Sequence, residues 1–323
     1  MEAHKYLFSK NTIYTIFVVV YSFILTIVIS QWHYGGDQIV YQRVYSNVNG
    51  LDLFEAFAHY KGQIASVEIT HFVYIFIFSN LNIDKIYAMA FANSILGFLV
   101  VKLWIRYFGK SLIGLYFIIT NYYILALFFT LERLKFGIFF ILLAALTNNN
   151  IKKFFLVILS VVSHLSLVVV AVLSIPLAFN KKNSFKLSYK YIFIFNVTWL
   201  SVLSIQGFKY FESQIIQKIP AYILVNDIQE MLFSGIKTTI IMMLSYLVVG
   251  RISPRILAIY LPLIAMSIIV EPARTNLFAY LFFLYFCTLN FNKIKTKIIL
   301  SFSLLYYSIS GFVYLNILRI SGG

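Results

Sequence analysis

Long apolar segments constrain the fold of this chain more than any other feature of its sequence. Of its 323 residues, 61% are hydrophobic and 11% are charged, whereas soluble domains have about 25% charged residues. A helix that crosses a bilayer needs about 17 to 25 predominantly apolar residues. Eight segments meet this requirement, near residues 12–30, 86–105, 111–130, 188–206, 234–250, 256–271, 274–290 and 296–315. The sequence therefore predicts an all-α, polytopic integral membrane protein that forms one transmembrane helical domain from residue 1 to residue 323.

Two further apolar regions are difficult to count as simple crossings. Residues 67–80 are apolar for only about 14 positions, which is too few for a full span. Residues 132–178 contain the polar link TNNNIKK and a second run that is interrupted by Ser163, His164 and Ser166. We therefore expect about nine to eleven transmembrane helices, of which one or two are re-entrant or broken.

The positions of lysine and arginine support the same interpretation. Cytoplasmic loops are rich in both residues, and clusters of them lie at residues 5–10, 102–110, 181–190, 251–255 and 293–297. An even number of crossings must separate the first cluster from the second, and the second from the third, yet each interval contains three apolar runs. One run in each interval is therefore predicted not to cross fully. Irregular backbone at membrane depth is tolerated only where it is buried in protein or lines a wet cavity.

Two long segments, residues 31–66 and 207–233, are predicted to be external loops. Both are rich in tyrosine and phenylalanine, and aromatic faces beside amide and carboxylate groups suit sugar rings. Lys209, Tyr210 and Tyr222 of the second segment are candidate substrate contacts. An aromatic belt at the membrane interface is the alternative interpretation of the same pattern.

Charge, cysteine content and short motifs argue against several classes of function. The formal net charge is +15, but the cations lie mostly in short loops, where they orient helices across a membrane. Nucleic acid is therefore not an expected partner. Cys287 is the only cysteine, which excludes an intrachain disulfide and a cysteine-based metal site. No phosphate-binding loop, nucleophile elbow, dinucleotide motif or metal-ligand spacing occurs in the sequence, so we expect neither a metal nor a cofactor.

The stretch FTLERLKFGIFF, residues 129–140, places Glu132, Arg133 and Lys135 in an otherwise apolar run. A charge near the bilayer centre costs roughly 2.5 to 3.5 kcal/mol, so such residues usually line an internal cavity or end a helix. Arg133 and Glu132 are consistent with a helix-end pair whose side chains reach water. The alternative is that the guanidinium makes bidentate contacts to a phosphate.

Two other apolar regions also contain ionisable groups. Arg274 follows Glu271 at the start of a span, where the helix dipole favours anions rather than cations. An anionic ligand or Glu271 itself therefore explains this arginine. His164 lies in the apolar run LSVVSHLSLVVV. It is either hydrogen-bonded to a neighbour or available to accept a proton or to bind a diphosphate oxygen.

Carboxylates form the last group of candidates. Asp37 follows two glycines after the first span, and Glu68 shares one helix face with His71 because the two are three residues apart. These carboxylates either take the proton from an attacking hydroxyl or neutralise the arginines.

Five short motifs occur in an order and spacing typical of one family. They are GGDQIVYQRVY with Asp37 and Tyr41, SVEITHFVYIF with Glu68, LERLKFGIFFILLAA with Arg133, VSHLSLVVV with His164, and ARTNLFAYLFF with Arg274. Through these motifs most of the chain resembles the EpsG-like branch of the Wzy-type bacterial polysaccharide polymerases. The chain departs from the family pattern where leucine, not glutamine, follows Arg133 and where Ile-Thr, not Pro-Gly, follows Glu68.

The resemblance implies a glycosyltransferase of GT-C-like architecture in the bacterial inner membrane, with its active site facing the periplasm. The growing glycan would leave undecaprenyl diphosphate and join the non-reducing end of an incoming lipid-linked repeat unit, building O-antigen, capsule or exopolysaccharide. The implied catalytic residues are Arg133, Arg274, His164, Glu68 and Asp37. The implied substrate-binding residues are Tyr41, Glu132, Lys135, Glu271, Lys209, Tyr210 and Tyr222. The expected partners are the undecaprenyl diphosphate-linked oligosaccharide, the lipid bilayer and a chain-length regulator of the Wzz type.

Two other classes share some of these features. A lipid-linked oligosaccharide flippase or other secondary transporter also has broken helices and buried charges, although no two related halves are evident in the sequence. A membrane O-acyltransferase would use a histidine and an arginine within membrane helices, although no acidic motif centred on histidine occurs near the first span.

Overall fold

A computed structural model describes residues 10–33, 35–64, 68–178, 228–250, 253–269 and 272–321. Within these ranges the chain forms helices and no strands, which confirms the all-α prediction. The helices are Lys10–Ser30 (α1), Asp37–Asn47 (α2), Leu53–Ile64 (α3), Ile69–Asn80 (α4), Lys85–Phe108 (α5), Leu112–Ile119 (α6), Tyr122–Phe129 (α7), Glu132–Leu146 (α8), Asn150–Ser163 (α9), Leu167–Ala178 (α10), Ile228–Val249 (α11), Pro254–Ile269 (α12), Pro272–Leu289 (α13) and Ile294–Ser321 (α14).

The chain divides into two compact units. The first consists of Met1–Leu167 with Ser301–Gly323, and the second of Val168–Leu300. The predicted span at 188–206 and the predicted external loop at 207–233 lie largely outside the described residues. The structure therefore leaves those two predictions as they stand.

Four of the described helices, α1, α5, α11 and α14, are long and apolar enough to cross a membrane. A fifth crossing results if α6 and α7 together form one bent span. The described residues are thus compatible with a multi-pass membrane protein. The total of nine to eleven crossings and the GT-C-like architecture stay predictions.

The segment 111–130 was predicted to be a single span, but it is not one continuous helix. The segment forms two helices, α6 and α7, that are bent by 46° at their junction. The side chain of Asn121 accepts a hydrogen bond from the Tyr123 amide at 3.0 Å and so caps α7. A Cβ atom on Gly311 of α14 would collide with the carbonyl oxygen of Thr120. The bend therefore depends on a polar cap and on a glycine in the neighbouring helix.

Helices α1 and α5 pack closely along one another in the first unit. A Cβ atom on Gly97 would lie 2.5 Å from Ser22 Oγ, so a larger residue at this position would force the Ser22 side chain to move. Asn93 donates to Thr26 Oγ1 at 2.9 Å. Small residues and interhelical hydrogen bonds are the usual means by which membrane helices associate. This pairing places the first turn of α5 beside the last turn of α1.

The two segments predicted to be broken or too short have the expected form. Helix α4 contains 12 residues and is therefore about 18 Å long, well below the roughly 30 Å thickness of the hydrocarbon core. Helix α9 ends at Ser163 and α10 begins at Leu167. His164 between them has an extended backbone, with φ −156° and ψ 115°.

Residues 31–66, predicted to be an external loop, contain two helices, α2 and α3. Their buried side chains form a hydrophobic cluster with α4, which includes Tyr45, Tyr60, Phe72 and Ile75. Tyr45 also donates to the carbonyl oxygen of Ile83 at 2.6 Å. These helices therefore pack against α4 and hold it in place.

Because α4 is too short to span, its two flanks should lie on the same external side of the membrane. Single cysteines at Gln63 and Leu81, both exposed positions, are expected to react with an impermeant maleimide in cells with a permeabilised outer membrane. Replacing the buried Cys287 by alanine gives a cysteine-free background.

A cysteine at Lys153 serves as the matched internal control. Arg106, at the end of α5 that is expected to be cytoplasmic, donates to Asn148 Oδ1 at 2.6 Å, and Lys153 is in the first turn of the following helix. This position should react only after the inner membrane is permeabilised. If Leu81→Cys behaves like Lys153→Cys, then α4 crosses the membrane and the same-side assignment is wrong.

Candidate functional site

The start of α8 presents two adjacent charges to different parts of the first unit. Helix α7 ends at Phe129, the Leu131 amide donates to the Ala126 carbonyl at 2.8 Å, and α8 begins at Glu132. Neighbouring residues of an α-helix point about 100° apart. Glu132 and Arg133 therefore face different partners, although they are adjacent in sequence.

Arg133 is held by Tyr41 and Glu68. Its Nε donates to Tyr41 Oη at 2.8 Å, and Nη1 lies 3.4 Å from Glu68 Oε1. Its Cζ lies 5.6 Å from the centre of the Tyr41 ring, within range of a cation–π interaction. Tyr41 in turn donates to Asp37 Oδ2 at 3.1 Å. These contacts hold the guanidinium in position, and the Arg133 side chain keeps a small exposed surface, 13%.

Glu68 joins Arg133 to His164. His164 Nε2 lies 3.4 Å from Glu68 Oε1, the same oxygen that faces Arg133. The Ser166 amide lies 3.3 Å from His164 Nδ1, and an amide N–H can only donate. This contact assigns the proton of the neutral ring to Nε2, which faces the carboxylate. Glu68 Oε2 is buried and makes no hydrogen bond to any described residue.

Gly137 allows His164 to reach this position. A Cβ atom on Gly137 would collide with the Leu167 side chain and would lie 3.0 Å from the Ser160 carbonyl oxygen. Helix α8 therefore packs closely against the end of α9. As a result, the break at His164 lies beside the start of α8.

Glu132 belongs to a second, fully buried cluster. Its Oε1 lies 3.2 Å from His71 Nε2, and its Oε2 lies 3.5 Å from Lys85 Nζ. His71 Nδ1 is 2.9 Å from Tyr60 Oη, and Lys85 donates to Gln38 Oε1 at 3.0 Å.

The helix-end pair of Arg133 with Glu132 that was considered from the sequence does not form. The carboxylate that approaches Arg133 is that of Glu68.

Lys135 lies in the interior of the first unit, with no exposed side-chain surface. Its Nζ donates to Asn93 Oδ1 at 2.7 Å and to the Phe128 carbonyl oxygen at 3.0 Å. These bonds join α5, the end of α7 and α8. In this structure Lys135 therefore holds the helices that position the site, although the family resemblance implied a substrate contact.

The two tyrosines of the site remain protonated at neutral pH. Burial raises the pKa of the Tyr41 phenol and of the Tyr60 phenol above the ordinary value near 10. Tyr41 can therefore donate its proton to Asp37 while its oxygen accepts from Arg133. The two clusters also share the Tyr41 ring, because Lys85 Nζ lies 5.5 Å from its centre.

The structure brings together Asp37, Tyr41, Glu68, Arg133 and His164, which were separate candidates in the sequence. Arg274 lies in the first turn of α13 in the second unit, with a half-buried side chain. The remaining candidates, Glu271, Lys209, Tyr210 and Tyr222, lie outside the described residues.

Lys85, Tyr60 and Gln38 were not among the sequence candidates for the site. Lys85 could have been identified from the sequence, because it is a cation at the first position of an apolar span. Nothing in the sequence distinguished Tyr60 and Gln38, since neither residue is unusual in a tyrosine-rich, polar segment. Within the described ranges, no group of three or more His, Cys, Asp and Glu side chains is arranged to hold a metal ion.

No protein-family model matches the sequence, and neither the curated proteins nor the solved structures contain a significant match. The relationship to the polysaccharide polymerases therefore stays a prediction from the five short motifs.

Proposed function

We propose that this chain is a glycosyltransferase that polymerises polysaccharide in the bacterial inner membrane. It transfers a growing glycan from undecaprenyl diphosphate to the non-reducing end of an incoming lipid-linked repeat unit at the periplasmic face. The observation that supports this proposal most strongly is the group formed by Arg133, Glu68 and His164. A fixed guanidinium and an oriented carboxylate lie side by side at the ends of apolar helices.

Arg133 is proposed to stabilise the leaving diphosphate. Guanidinium groups bind phosphate oxygens through two parallel N–H donors. The hydrogen bonds of Arg133 to described residues use Nε and Nη1, so Nη2 is available for a ligand. A donor that is fixed before the reaction stabilises developing negative charge without further reorganisation.

Glu68 is proposed as the general base. The acceptor hydroxyl attacks the anomeric carbon of the donor sugar and loses its proton to Glu68 Oε2. The bond between this carbon and the diphosphate oxygen breaks, and its electron pair leaves with the diphosphate. Arg133 and His164 both contact Oε1, which leaves Oε2, without a hydrogen bond to a described residue, to take up this proton. His164 is thus proposed to position the base.

The second cluster is proposed to hold the helices that bear these groups. Glu132 connects His71 of α4 and Lys85 of α5 to α8. Catalytic groups need supporting residues that fix their geometry. On the grounds of sequence alone, we propose Arg274 as a second cation for the diphosphate and a Wzz-type regulator as a partner. Glu271, Lys209, Tyr210 and Tyr222 are proposed, on the same grounds, as substrate contacts.

Disruption of the gene tests this proposal against its rivals. Cells that lack the chain should accumulate a single repeat unit on its lipid carrier at the periplasmic face, in place of polymer. Mass spectrometry of extracted lipid-linked glycans measures this product, and a plasmid-borne copy should restore the polymer. Repeat units confined to the cytoplasmic face would identify a flippase. Full-length polymer without acyl groups would identify an acyltransferase, and either result would contradict the proposal.

A further inference from the structure

An open cavity of about 220 Å³ in the first unit has no role in the transfer step described above. It lies among the end of α1, the start of α2, the start of α5 and the junction of α7 with α8. This volume is below the roughly 300–1,000 Å³ of pockets for drug-sized ligands. The cavity therefore fits a single ring-sized group and not an oligosaccharide.

Polar residues outnumber apolar residues in the lining of the cavity. Eight of its twelve lining residues have polar side chains: Thr26, Ser30, His33, Gln38, Gln42, Asp84, Lys85 and Glu132. The other four, Ile86, Met89, Phe128 and Phe129, are apolar. This combination suits a ligand with many hydroxyl groups and a C–H face that packs on apolar side chains.

Some of these polar groups are engaged within the protein and others are available to a ligand. Gln38 accepts from Lys85 at 3.0 Å and donates to the Phe129 carbonyl oxygen at 2.9 Å. Gln42 lies one turn further along the same face of α2. Its side-chain amide makes no hydrogen bond to a described residue. His33 Nδ1 is buried and likewise has no partner among the described residues. Gln42 and His33 therefore offer hydrogen-bonding capacity to an occupant.

The charge of the cavity disfavours an anion. Asp84 and Glu132 are acidic and Lys85 is the single basic side chain other than His33. Lys85 already approaches the Glu132 carboxylate at 3.5 Å. Burial, with a smaller effect of Lys85, lowers the pKa of His33 below its ordinary value near 6.5, so this ring is neutral at pH 7. A diphosphate would thus face a net negative wall, whereas an uncharged polyol would not.

We propose that this cavity is a sugar subsite that holds one uncharged pyranose ring of the lipid-linked substrate. This assignment rests on the proposed function, because it names the part of that substrate that lies beside the transfer site. The Tyr41 ring connects the two places, since Lys85 from the cavity and Arg133 from the transfer site both approach it. Lys85 and the Tyr41 ring therefore lie between a sugar in the cavity and the guanidinium.

Saturation-transfer-difference NMR on the purified full-length chain tests this subsite. The probes are methyl pyranosides of glucose, galactose, rhamnose, N-acetylglucosamine and N-acetylgalactosamine, with mannitol as an acyclic control. At least one pyranoside should give a ring-proton signal above that of mannitol. Gln42→Leu should weaken its binding by roughly fivefold, as expected for the loss of one or two hydrogen bonds.

Matched variants separate loss of the subsite from loss of the fold. Gln63→Leu removes an exposed glutamine of α3 outside the cavity and should leave sugar binding unchanged. Ser30→Phe fills the cavity without altering Gln42 and should abolish binding while the protein elutes as the wild type does. The subsite is refuted if no pyranoside exceeds mannitol, or if Gln42→Leu and Ser30→Phe both bind sugar like the wild type.

The subsite and the proposed function fail in different ways. If cells need the chain for polymer but no sugar binds here, the subsite is wrong and the polymerase proposal stands. If a pyranoside binds in a Gln42-dependent manner but gene disruption leaves polymer intact, the cavity is a sugar site and the polymerase proposal is wrong.

Discussion

Replacing Arg133 by alanine is expected to abolish polymer formation while the protein still inserts into the membrane. The variant lacks the guanidinium that is held by Tyr41 at 2.8 Å and faces Glu68 at 3.4 Å. Loss of one preorganised donor to a developing anion typically costs about 100-fold to 1,000-fold in rate. Arg133→Lys should restore only part of the activity, because an ammonium does not reproduce the planar guanidinium fork. The measurement is the length distribution of surface polysaccharide at matched protein levels.

Arg43 provides the control for a general effect of positive charge. This arginine lies on α2, two residues after Tyr41, and its side chain is exposed. Arg43→Ala removes the same charge from the same part of the first unit without touching the Arg133 contacts. It should make polymer of normal length. Normal polymer from Arg133→Ala, at a normal protein level, would remove Arg133 from the mechanism.

Much of the helical fold could be predicted from hydrophobicity alone, because membrane helices must be apolar over a fixed length. The shortness of α4 and the break at His164 were also visible, since each interrupts an apolar run. The bend between α6 and α7 was missed. Thr120 and Asn121 mark it, but two polar residues barely lower the mean hydropathy of a 20-residue segment. The glycine that accommodates the bend, Gly311, is 191 residues away in sequence.

The members of the candidate site were easier to predict than their partners. Glu68, Arg133 and His164 stand out because ionisable groups are rare in apolar segments. Their pairing was not predictable, because Arg133 reaches back 65 residues to Glu68 and 92 residues to Tyr41. The adjacent pair of Glu132 and Arg133 suggested a local ion pair. The helix directs the two side chains apart, and tertiary packing supplies Lys85 and His71 to Glu132 instead.

The role of Lys135 could not be inferred from its position in the sequence. A lysine in an apolar run is equally consistent with a ligand contact and with a structural cation. What decides between these roles is the arrangement of Asn93 and the Phe128 carbonyl around its Nζ. Both groups lie at the junction of three helices, and only the folded chain brings them together.

Glu68→Gln is the variant that separates the proposed base from the residues that support it. Glutamine keeps the size of the side chain and one acceptor oxygen but does not take up a proton from the hydroxyl. Loss of a general base typically lowers the rate by about 100-fold to 10,000-fold. Glu68→Asp keeps the carboxylate and should retain part of the activity. Glu132→Gln leaves Lys85 without its buried counter-charge, so we expect lower thermal stability from it.

The most direct test of the account is the release of undecaprenyl diphosphate by the purified chain in proteoliposomes. The substrate is the lipid-linked repeat unit extracted from cells in which the gene is disrupted. We predict that the wild-type chain releases the carrier and forms a ladder of glycans without any added nucleotide sugar. Glu68→Gln should bind this substrate, but its rate of carrier release should be lower than that of the wild type by about 100-fold or more. If the wild-type chain releases no carrier, or if Glu68→Gln releases as much as the wild type, the proposed polymerase mechanism is contradicted.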